Sequence, residues 1–272
     1  MLGSFFITFR EGLEAFLVAG IIISYLFKIN RKSHVKYVLI GAVVAIALSA
    51  GLAFAVEAWF GGFEGKLEEI FEGSVLFLAV AVLTYMVFWM NRQAKSIRNE
   101  IETSVSEAVD RGNIFGLLFL GFIVVFREGA ETVLFFKAIS FQTDSRSLLA
   151  GGAIGILSSL AVTLIFLMST VRINISLFFK ITGVLIMFIA AGLLAAGIHE
   201  FQEAGLIAVL DSKIYDLSSF LSNDSVTGGI LRSLFGYNPS PSLLETIAYL
   251  LYISVIIFLA RRLLFVKRLK AS

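Results

Sequence analysis

Long apolar stretches constrain this chain more than any other feature. Several of them reach the ~20 residues that an α-helix needs to cross the hydrocarbon core of a bilayer. Hydrophobic residues make up 58% of the chain and charged residues only 15%, against roughly 25% charged in a globular domain. Seven stretches are predicted to span the membrane, at about 4–27, 35–60, 67–90, 114–140, 148–170, 177–198 and 242–264. The pattern predicts an all-α, multi-pass integral membrane protein.

The composition excludes several classes of function. The chain contains no cysteine, so disulfides, iron–sulfur clusters and thiolate metal sites are excluded, and any metal must be held by oxygen or imidazole ligands. A net charge of +2 without a basic run gives no sign of a nucleic-acid partner. The first apolar stretch carries three charged residues and no basic leader, so it is predicted to be a retained helix rather than a signal peptide.

The predicted spans divide the chain into five segments. These are a first three-helix repeat (1–90), a charged cytoplasmic segment (91–113), a second three-helix repeat (114–203), an extracytoplasmic or interfacial connection (204–241), and a seventh helix with a basic cytoplasmic tail (242–272). The charged segment has the composition of a solvated helix followed by a loop. Residues 206–221 space apolar side chains in a helical pattern, which predicts a helix at the membrane interface.

The distribution of lysine and arginine predicts the orientation of the chain. With the N-terminus outside and the C-terminus inside, 15 basic residues fall on the cytoplasmic side and 5 on the outer side, while Arg10 and Arg127 lie within the membrane. Cytoplasmic loops carry the excess of positive charge in membrane proteins, so this orientation is the predicted one. The outer face is rich in carboxylates, which concentrate cations near the surface.

Two copies of one charged motif interrupt the apolar sequence. The pattern Phe-Arg-Glu-Gly-x-Glu occupies residues 9–14 in the first span and recurs 117 residues later at 126–131 in the fourth. A charged side chain at the bilayer centre costs about 2.5–3.5 kcal/mol on insertion scales, so its repetition indicates a function that needs both copies. Residues three and four positions apart on a helix lie ~60° and ~40° apart. The charged side chains of each copy therefore share one helix face: Arg10, Glu11 and Glu14 in the first, and Arg127, Glu128 and Glu131 in the second.

The two repeats are predicted to be inverted in the membrane, because each contains an odd number of spans. The second and fifth spans also match weakly, with Gly41, Ile46 and Ser49 corresponding to Gly151, Ile156 and Ser159 at an offset of 110 residues. Inversion places both carboxylate pairs in the outer half of the membrane at similar depth. Gly12 and Gly129 allow close helix approach, so the two faces are predicted to form one site with four carboxylates and two guanidiniums.

Carboxylate oxygens suit hard cations, which makes the paired faces a candidate cation site with a net charge of −2 when all groups are ionised. The alternative is a purely structural role, in which Arg10–Glu14 and Arg127–Glu131 form ion pairs within their own helices. A neutral pair needs only one carboxylate, whereas each copy has two. The surplus favours a functional site.

Other polar residues lie near the predicted outer ends of spans. His199, Glu200 and Glu203 end the sixth span, and Glu72 lies near the start of the third. They either receive cations at the entrance to the site or simply face water, and acidic groups are favourable at a helix N-terminus on dipole grounds alone. Trp59 and Trp89 lie near span ends, as interfacial anchors do.

With these motifs, the chain resembles the high-affinity iron permease family, which comprises the fungal ferric permeases and the bacterial Efe-type permeases. The resemblance extends from end to end. It includes both Arg-Glu-x-x-Glu motifs, the His-Glu-x-x-Glu end of the sixth span, and Gly-Tyr-Asn-Pro-x-Pro before the seventh.

The resemblance implies a permease that imports iron across the cytoplasmic membrane. It implies that iron is bound by four carboxylates, with two arginines required nearby: Glu11, Glu14, Glu128 and Glu131, with Arg10 and Arg127. Glu72 resembles an acidic residue of the family and is a candidate for the path by which iron enters. Iron is then a substrate rather than a cofactor. The chain has no large soluble domain or histidine cluster, so an extracytoplasmic oxidase or peroxidase is the expected partner.

Two other functions remain open on the residues alone. The four carboxylates could form a di-iron oxidase site, although bundle di-iron sites pair Glu-x-x-His motifs with further glutamates and neither motif here contains histidine. A transporter of another divalent cation, such as lead, is the other alternative, since oxygen ligands discriminate weakly between metals.

Overall fold

The chain is described by a computed structural model, which covers residues 1–60, 62–93, 97–168, 175–217, 221 and 225–269. Within these residues the structure is all-helical, apart from turns and one bridge between Lys213 and Ser242. The helices of this described part are α1 (Leu2–Lys28), α2 (Val35–Phe60), α3 (Lys66–Gln93), α4 (Ile97–Asp110), α5 (Ile114–Ser140), α6 (Ser145–Met168), α7 (Ile175–Glu203), α8 (Val226–Phe235) and α9 (Leu243–Leu269). A short 3₁₀ turn, Lys32–His34, precedes α2.

Side-chain caps mark where two of the helices begin. The Gly116 N–H donates a hydrogen bond of 2.9 Å to the Asn113 side chain at the start of α5. At the start of α6, the Ser147 N–H donates to the Asp144 carboxylate at 2.9 Å, and this bond lowers the pKa of Asp144. Both caps satisfy N–H groups that have no partner within the helix.

Four described segments are long and apolar enough to cross a membrane, and Leu243–Leu259 forms a shorter apolar helix. The four are Lys32–Trp59, Lys66–Trp89, Ser145–Met168 and Ile181–Glu203. α1 and α5 are also long, with 27 residues each. Each of them contains one copy of the motif, whose three charged residues interrupt the apolar sequence. The prediction of an all-α chain with several membrane-crossing helices is confirmed, while the count of seven spans, the repeats and the orientation stay predictions.

The helix boundaries agree closely with the predicted spans. α2 and α5 coincide with the stretches at 35–60 and 114–140, and the described ends of the other spans differ by at most five residues. The predicted end of the fifth span at Thr170 and the inside loop at Arg172 lie outside the described residues. The agreement is expected, because apolar length alone limits where a membrane helix begins and ends.

The charges of α4 predict a solvated helix, but one part of its surface is buried. Val105, Ala108 and Val109 are buried in a hydrophobic cluster with Leu26 of α1 and Leu117 of α5. Glu107 and Asp110 of α4 are exposed, while its buried apolar side chains pack on the neighbouring helices. α4 is therefore part of the folded core and does not merely link the spans.

The interfacial helix predicted at 206–221 is wrong over 206–217 and 221, where the structure shows turns; residues 218–220 lie outside the described part. Leu210 adopts a left-handed conformation with φ of 56°, which is incompatible with an α-helix. The helical spacing of apolar residues was therefore not sufficient to make a helix here.

The backbone of this segment pairs with the turn that precedes α9. The Ile214 N–H donates to the Pro241 carbonyl at 3.2 Å, and the Leu217 N–H donates to the Pro239 carbonyl at 2.8 Å. These long-range bonds satisfy donors that a local helix would otherwise have used. The connection thus runs alongside the proline turn.

The contacts divide the chain into two compact units. The first comprises Met1, Gly3–Phe63 and Phe88–Phe179, and the second comprises Leu2, Glu64–Val87 and Lys180–Ser272. The first unit contains α1, α2, α4, α5 and α6, apart from Leu2, and both charged motifs. The predicted five-segment division stays a prediction.

Glycines bring the helices of the first unit into backbone contact. A Cβ on Gly41 of α2 would overlap the backbone of Leu118 and Phe122 on α5. In the same way, a Cβ on Gly151 of α6 would overlap the carbonyl of Met1 beside α1. Small residues permit such close approach, and close packing drives helix association in a bilayer.

Replacing Gly41 with alanine is expected to destabilise the protein by about 1–3 kcal/mol, because the added methyl group meets backbone atoms that cannot rotate away. The matched control is Gly51→Ala on the same helix, where the space around the added Cβ is open. The control is expected to be neutral or slightly stabilising, since alanine favours a helix by about 0.5–1 kcal/mol over glycine. Thermal unfolding of both variants in detergent measures the difference, and equal stability would contradict the packing.

In the second unit, glycine contact fixes the turn before α9 against α7. Gly236 ends α8 in a left-handed conformation with φ of 64°, and its α-carbon region packs on Gly192 of α7. Phe77 of α3 stacks on Phe201 of α7 with ring centroids 5.2 Å apart. These contacts hold the C-terminal part of α7, which carries His199, in a defined environment.

Candidate metal centre

The first motif is almost completely buried. Arg10 and Glu11 are each 1% exposed and Glu14 is 9% exposed. The Arg10 Nη1 donates to Glu11 Oε1 at 2.6 Å, and Nη2 lies 2.7 Å from Glu14 Oε1. Arg10 is therefore held by both carboxylates of its own motif, and the Arg10–Glu14 ion pair of the structural alternative is present.

The second motif has a different arrangement. The Arg127 Nε donates to Glu128 Oε1 at 2.8 Å, and Nη2 contacts the same oxygen. The Arg127 side chain is 42% exposed, and its guanidinium carbon lies 5.2 Å from the centre of the Trp89 ring. The Arg127–Glu131 ion pair of the structural alternative is absent from the described structure, because Arg127 turns towards its neighbour Glu128 and the indole instead.

Three carboxylates from the two motifs meet in the first unit. One oxygen from each of Glu11, Glu128 and Glu131 lies within 4.8 Å of the others, and no second group of three carboxylate or imidazole ligands is found over the described residues. Glu14 is outside this group; its Oε1 lies 2.7 Å from Arg10 Nη2, and it is within electrostatic range of Glu128. The structure thus brings together three of the four predicted carboxylates, which we call the carboxylate cluster.

The carboxylate cluster contains oxygen atoms without hydrogen-bond partners. Glu11 Oε2, Glu128 Oε2 and Glu131 Oε2 are all buried and unpartnered within the described structure. Buried polar atoms are nearly always hydrogen-bonded, and carboxylates at this separation repel one another when ionised. A cation would relieve both costs, and oxygen ligands suit hard cations. The arrangement can therefore bind a metal ion.

The glycine of each motif, Gly12 or Gly129, lets a neighbouring helix approach closely. A Cβ on Gly12 would lie 2.5 Å from Ser159 Oγ of α6, and a Cβ on Gly129 would overlap Ser49 of α2. Ser49 Oγ is buried without a hydrogen-bond partner in the described structure. The motif glycines are thus used for helix packing, as predicted from their lack of a side chain.

The other predicted site residues, Glu72, His199, Glu200 and Glu203, belong to the second unit. His199 Nε2 lies 3.3 Å from Glu203 Oε1, and its Nδ1 lies 3.1 Å from Glu245 Oε1. Glu72 is half-buried and within electrostatic range of Glu200. Glu203 is 55% exposed and therefore faces solvent, whereas His199 also contacts the buried Glu245. The end of α7 is thus only partly solvated.

Glu245 contacts both the His-Glu-x-x-Glu motif at the end of α7 and the Gly-Tyr-Asn-Pro-x-Pro motif before α9. It is 2% exposed, and the Asn238 side chain donates to its Oε2 at 2.9 Å. The Ser242 N–H donates to its Oε1 at 3.2 Å, the same oxygen that contacts His199. Glu245 therefore joins the end of α7 to the turn before α9.

Replacing Glu245 with alanine is expected to destabilise the protein by about 1–3 kcal/mol, because His199, Asn238 and the Ser242 N–H lose an acceptor. Glu203→Ala is the matched control, and a loss below about 0.5 kcal/mol is expected there because Glu203 is 55% exposed. Thermal unfolding and limited proteolysis within the connection measure both. An unaltered Glu245→Ala protein would show that the buried contacts contribute nothing.

Sequence reasoning missed three residues of these surroundings. Glu245 is an acidic residue at the start of an apolar span, which is a signal that could have been found. Ser49 was noted only as part of the weak repeat. Trp89 gave no signal, because its sequence position suggested an interfacial anchor whereas it lies on Arg127.

Helices able to cross a membrane, with charged groups buried inside a helical unit, define a multi-pass membrane protein. The particular family follows from sequence comparison. The chain belongs to the iron permease FTR1 family, whose profile matches residues 1–271.

Curated relatives share most of the chain. It is 37% identical over 252 residues to the ferrous iron permease EfeU of Escherichia coli O6:H1 (strain CFT073), covering 92% of this chain and 91% of that protein. It is 36% identical over 251 residues to the ferrous iron permease EfeU of Yersinia pestis, covering 92% of this chain and 89% of that protein. No solved structure matches the chain.

Family membership assigns the protein to iron transport. The relatives are permeases, which points to a transporter rather than an enzyme, and iron is the expected substrate rather than a cofactor. Its location in a membrane as a multi-pass protein agrees with the helices described above. The expectation that the chain is an iron permease is confirmed at this level.

Proposed function

We propose that the protein imports iron across the cytoplasmic membrane through a site built from both charged motifs. The ligands are Glu11, Glu14, Glu128 and Glu131, with Arg10 and Arg127 as supporting counter-ions. The observation that supports this best is the carboxylate cluster, in which three glutamates converge with unpartnered buried oxygens. Glu14 is the fourth proposed ligand, and in the structure it is paired with Arg10.

The proposed architecture has seven spans in two inverted repeats, with the N-terminus outside and the C-terminus inside. Its support is the equivalence of two helix pairs. Gly41 packs on Leu118 as Gly151 packs on Met1, and the repeat offsets of 110 and 117 residues convert the first pair into the second. The same offsets convert the contact between Gly129 and Ser49 into that between Gly12 and Ser159. An inverted repeat with a site at its interface is a known transporter architecture.

The ion carried is proposed to be ferric iron, supplied by an extracytoplasmic oxidase or peroxidase. Ferric iron is a hard cation, and the carboxylate cluster offers only oxygen ligands. Ferrous iron is the second candidate, because the curated relatives are named ferrous iron permeases.

Two alternative functions have less support. A di-iron oxidase would need histidine beside its carboxylates, and no histidine belongs to the carboxylate cluster in the described part of the chain. A transporter of another divalent cation such as lead would use the same oxygen ligands, but the family is an iron permease family. Competition between metals in an uptake assay separates iron from other cargoes.

The residues proposed to line the entrance are Glu72, His199, Glu200 and Glu203. Their support is that His199 and Glu203 are partly exposed and that Glu72 and Glu200 interact electrostatically. Carboxylates near water concentrate cations before they enter a site. Their role is separate from that of Glu245, which is buried and fully engaged.

The experiment that tests the function is uptake of radiolabelled iron by purified protein in liposomes. Iron is supplied either as ferrous ion under reductant or as ferric citrate, and accumulation is compared with that of protein-free liposomes. Iron entry above that background supports a permease, and the favoured form identifies the valence. A protein that consumed oxygen with ferrous iron but accumulated none inside the vesicles would instead support the oxidase.

A further inference from the structure

The two arginines of the candidate site are not equivalent, although their motifs are. Arg10 is 1% exposed and is engaged by Glu11 and Glu14. Arg127 is 42% exposed and is engaged by one carboxylate, Glu128. The two halves of the site are similar in sequence, but the Arg10 guanidinium is fixed, whereas the Arg127 guanidinium can move at a lower cost in free energy.

Trp89 holds the second arginine by its flat face. The Arg127 guanidinium carbon lies 5.2 Å from the centre of the indole ring, within the range of a cation–π interaction. Glu128 meanwhile binds the edge of the same guanidinium through Nε and Nη2. The edge contact uses a carboxylate of the proposed site, whereas the face contact does not.

The difference matters when a metal ion enters the carboxylate cluster. Arg127 holds Oε1 of Glu128 and leaves Oε2 without a partner, so an iron ion bound at Oε2 would compete with the guanidinium for the charge of the same carboxylate. Displacing Arg10 would leave a buried charge without its two carboxylate partners, which is strongly unfavourable. Arg127 is half-exposed and keeps its contact with Trp89 when Glu128 turns to the metal. Exchange of counter-ion for iron is therefore easiest on the Arg127 side.

We propose that Trp89 is a positioning residue, which keeps Arg127 at the edge of the carboxylate cluster, and that Arg127 rather than Arg10 is the counter-ion that iron displaces. The proposal rests on the proposed iron site. Without the indole, the guanidinium is drawn towards three carboxylates and occupies the place of the metal. Trp89 thus keeps the site open for iron.

Replacing Trp89 with leucine is expected to raise the KM for iron uptake about 5- to 30-fold, the equilibrium shift that one cation–π contact supplies. The maximal rate is expected to stay unchanged, because saturating iron still displaces Arg127. Trp89→Phe keeps an aromatic face and is expected to restore a KM close to that of the unaltered protein. Trp59→Leu is the matched control with unchanged kinetics, since Trp59 is the other tryptophan and is 77% exposed.

Fluorescence gives a second measurement that does not depend on transport. In protein carrying Trp59→Phe, Trp89 is the sole tryptophan. Its emission is expected to shift when Arg127→Met is added and to stay constant with Arg127→Lys, which keeps a cation over the ring. An unshifted spectrum with Arg127→Met would overturn the contact.

Several kinetic outcomes would overturn the proposal. They are an unchanged KM in Trp89→Leu, equal defects in Trp89→Phe and Trp89→Leu, and a fall in maximal rate at constant KM. The proposed iron site is tested separately by Glu128→Gln in the same liposomes. Uptake that survives Glu128→Gln contradicts the site itself, whereas a normal KM in Trp89→Leu with an inactive Glu128→Gln contradicts only the role of Trp89.

Discussion

Replacing Glu128 with glutamine is expected to reduce iron uptake by more than about 100-fold, since even an outer partner of a metal ligand contributes about 10- to 100-fold. Glutamine preserves the shape of the side chain but removes its charge and replaces one oxygen ligand with an amide NH₂ that cannot bind a metal. Glu128 is 3% exposed and its Oε2 is unpartnered, so water cannot take over as a substitute ligand easily. Radiolabelled iron uptake into liposomes measures the loss.

The control for Glu128→Gln is Glu107→Gln, which removes an exposed carboxylate from α4 of the same unit. Uptake by this variant is expected to match that of the unaltered protein. Wild-type uptake by Glu128→Gln, with the protein present in the liposomes at equal amount, would sink the proposed site.

The same experiment tests whether the two motifs form one site. Glu11→Gln removes a member of the carboxylate cluster from the other helix and is expected to cause a loss as large as Glu128→Gln. The double variant is expected to be no worse than either single one, because residues that act as one unit are strongly non-additive. Two independent half-sites would instead retain about half of the uptake in each single variant. Glu14→Gln is expected to be milder, since Glu14 lies on Arg10 outside the cluster.

Replacing Arg10 with methionine is expected to destabilise the protein by about 3–5 kcal/mol, the usual cost of removing one partner from a buried ion pair. The variant leaves Glu11 and Glu14 buried without the guanidinium that contacts both. Arg127→Met is the matched control and is expected to cost less, because Arg127 is 42% exposed. Thermal unfolding in detergent compares the two.

Neutralising Glu11 and Glu14 tests whether the loss of stability in Arg10→Met comes from their unpaired buried charges. Adding Glu11→Gln and Glu14→Gln to Arg10→Met is expected to restore part of the lost stability, because the buried negative charges are removed together with their partner. Transport is expected to remain absent in the triple variant, since a member of the carboxylate cluster is gone. Equal stability of Arg10→Met and Arg127→Met would contradict the difference in burial between the two arginines.

Much of the helical architecture could be predicted from the chain alone. α2 and α5 coincide with the predicted stretches because a bilayer imposes a length on an apolar helix, and length is a local property. The interfacial helix at 206–221 could not be predicted correctly. Its outcome depended on backbone hydrogen bonds to Pro239 and Pro241, which are remote in sequence.

The sequence by itself determined the class of protein and predicted the residues of the candidate site. Apolar length required helices, the repeated motif supplied carboxylates, and the absence of cysteine excluded thiolate ligands; each is a property of composition or local spacing. Helical periodicity also placed the charged side chains of each motif on one face.

Only the tertiary structure decided how the two motif copies divide their roles. The sequence treats Arg10 and Arg127 alike, yet one is enclosed by Glu11 and Glu14 and the other lies between Glu128 and Trp89. The physical reason is that burial and ion pairing depend on which helix packs against each face. That packing is a non-local property, so two nearly identical local motifs can differ in it.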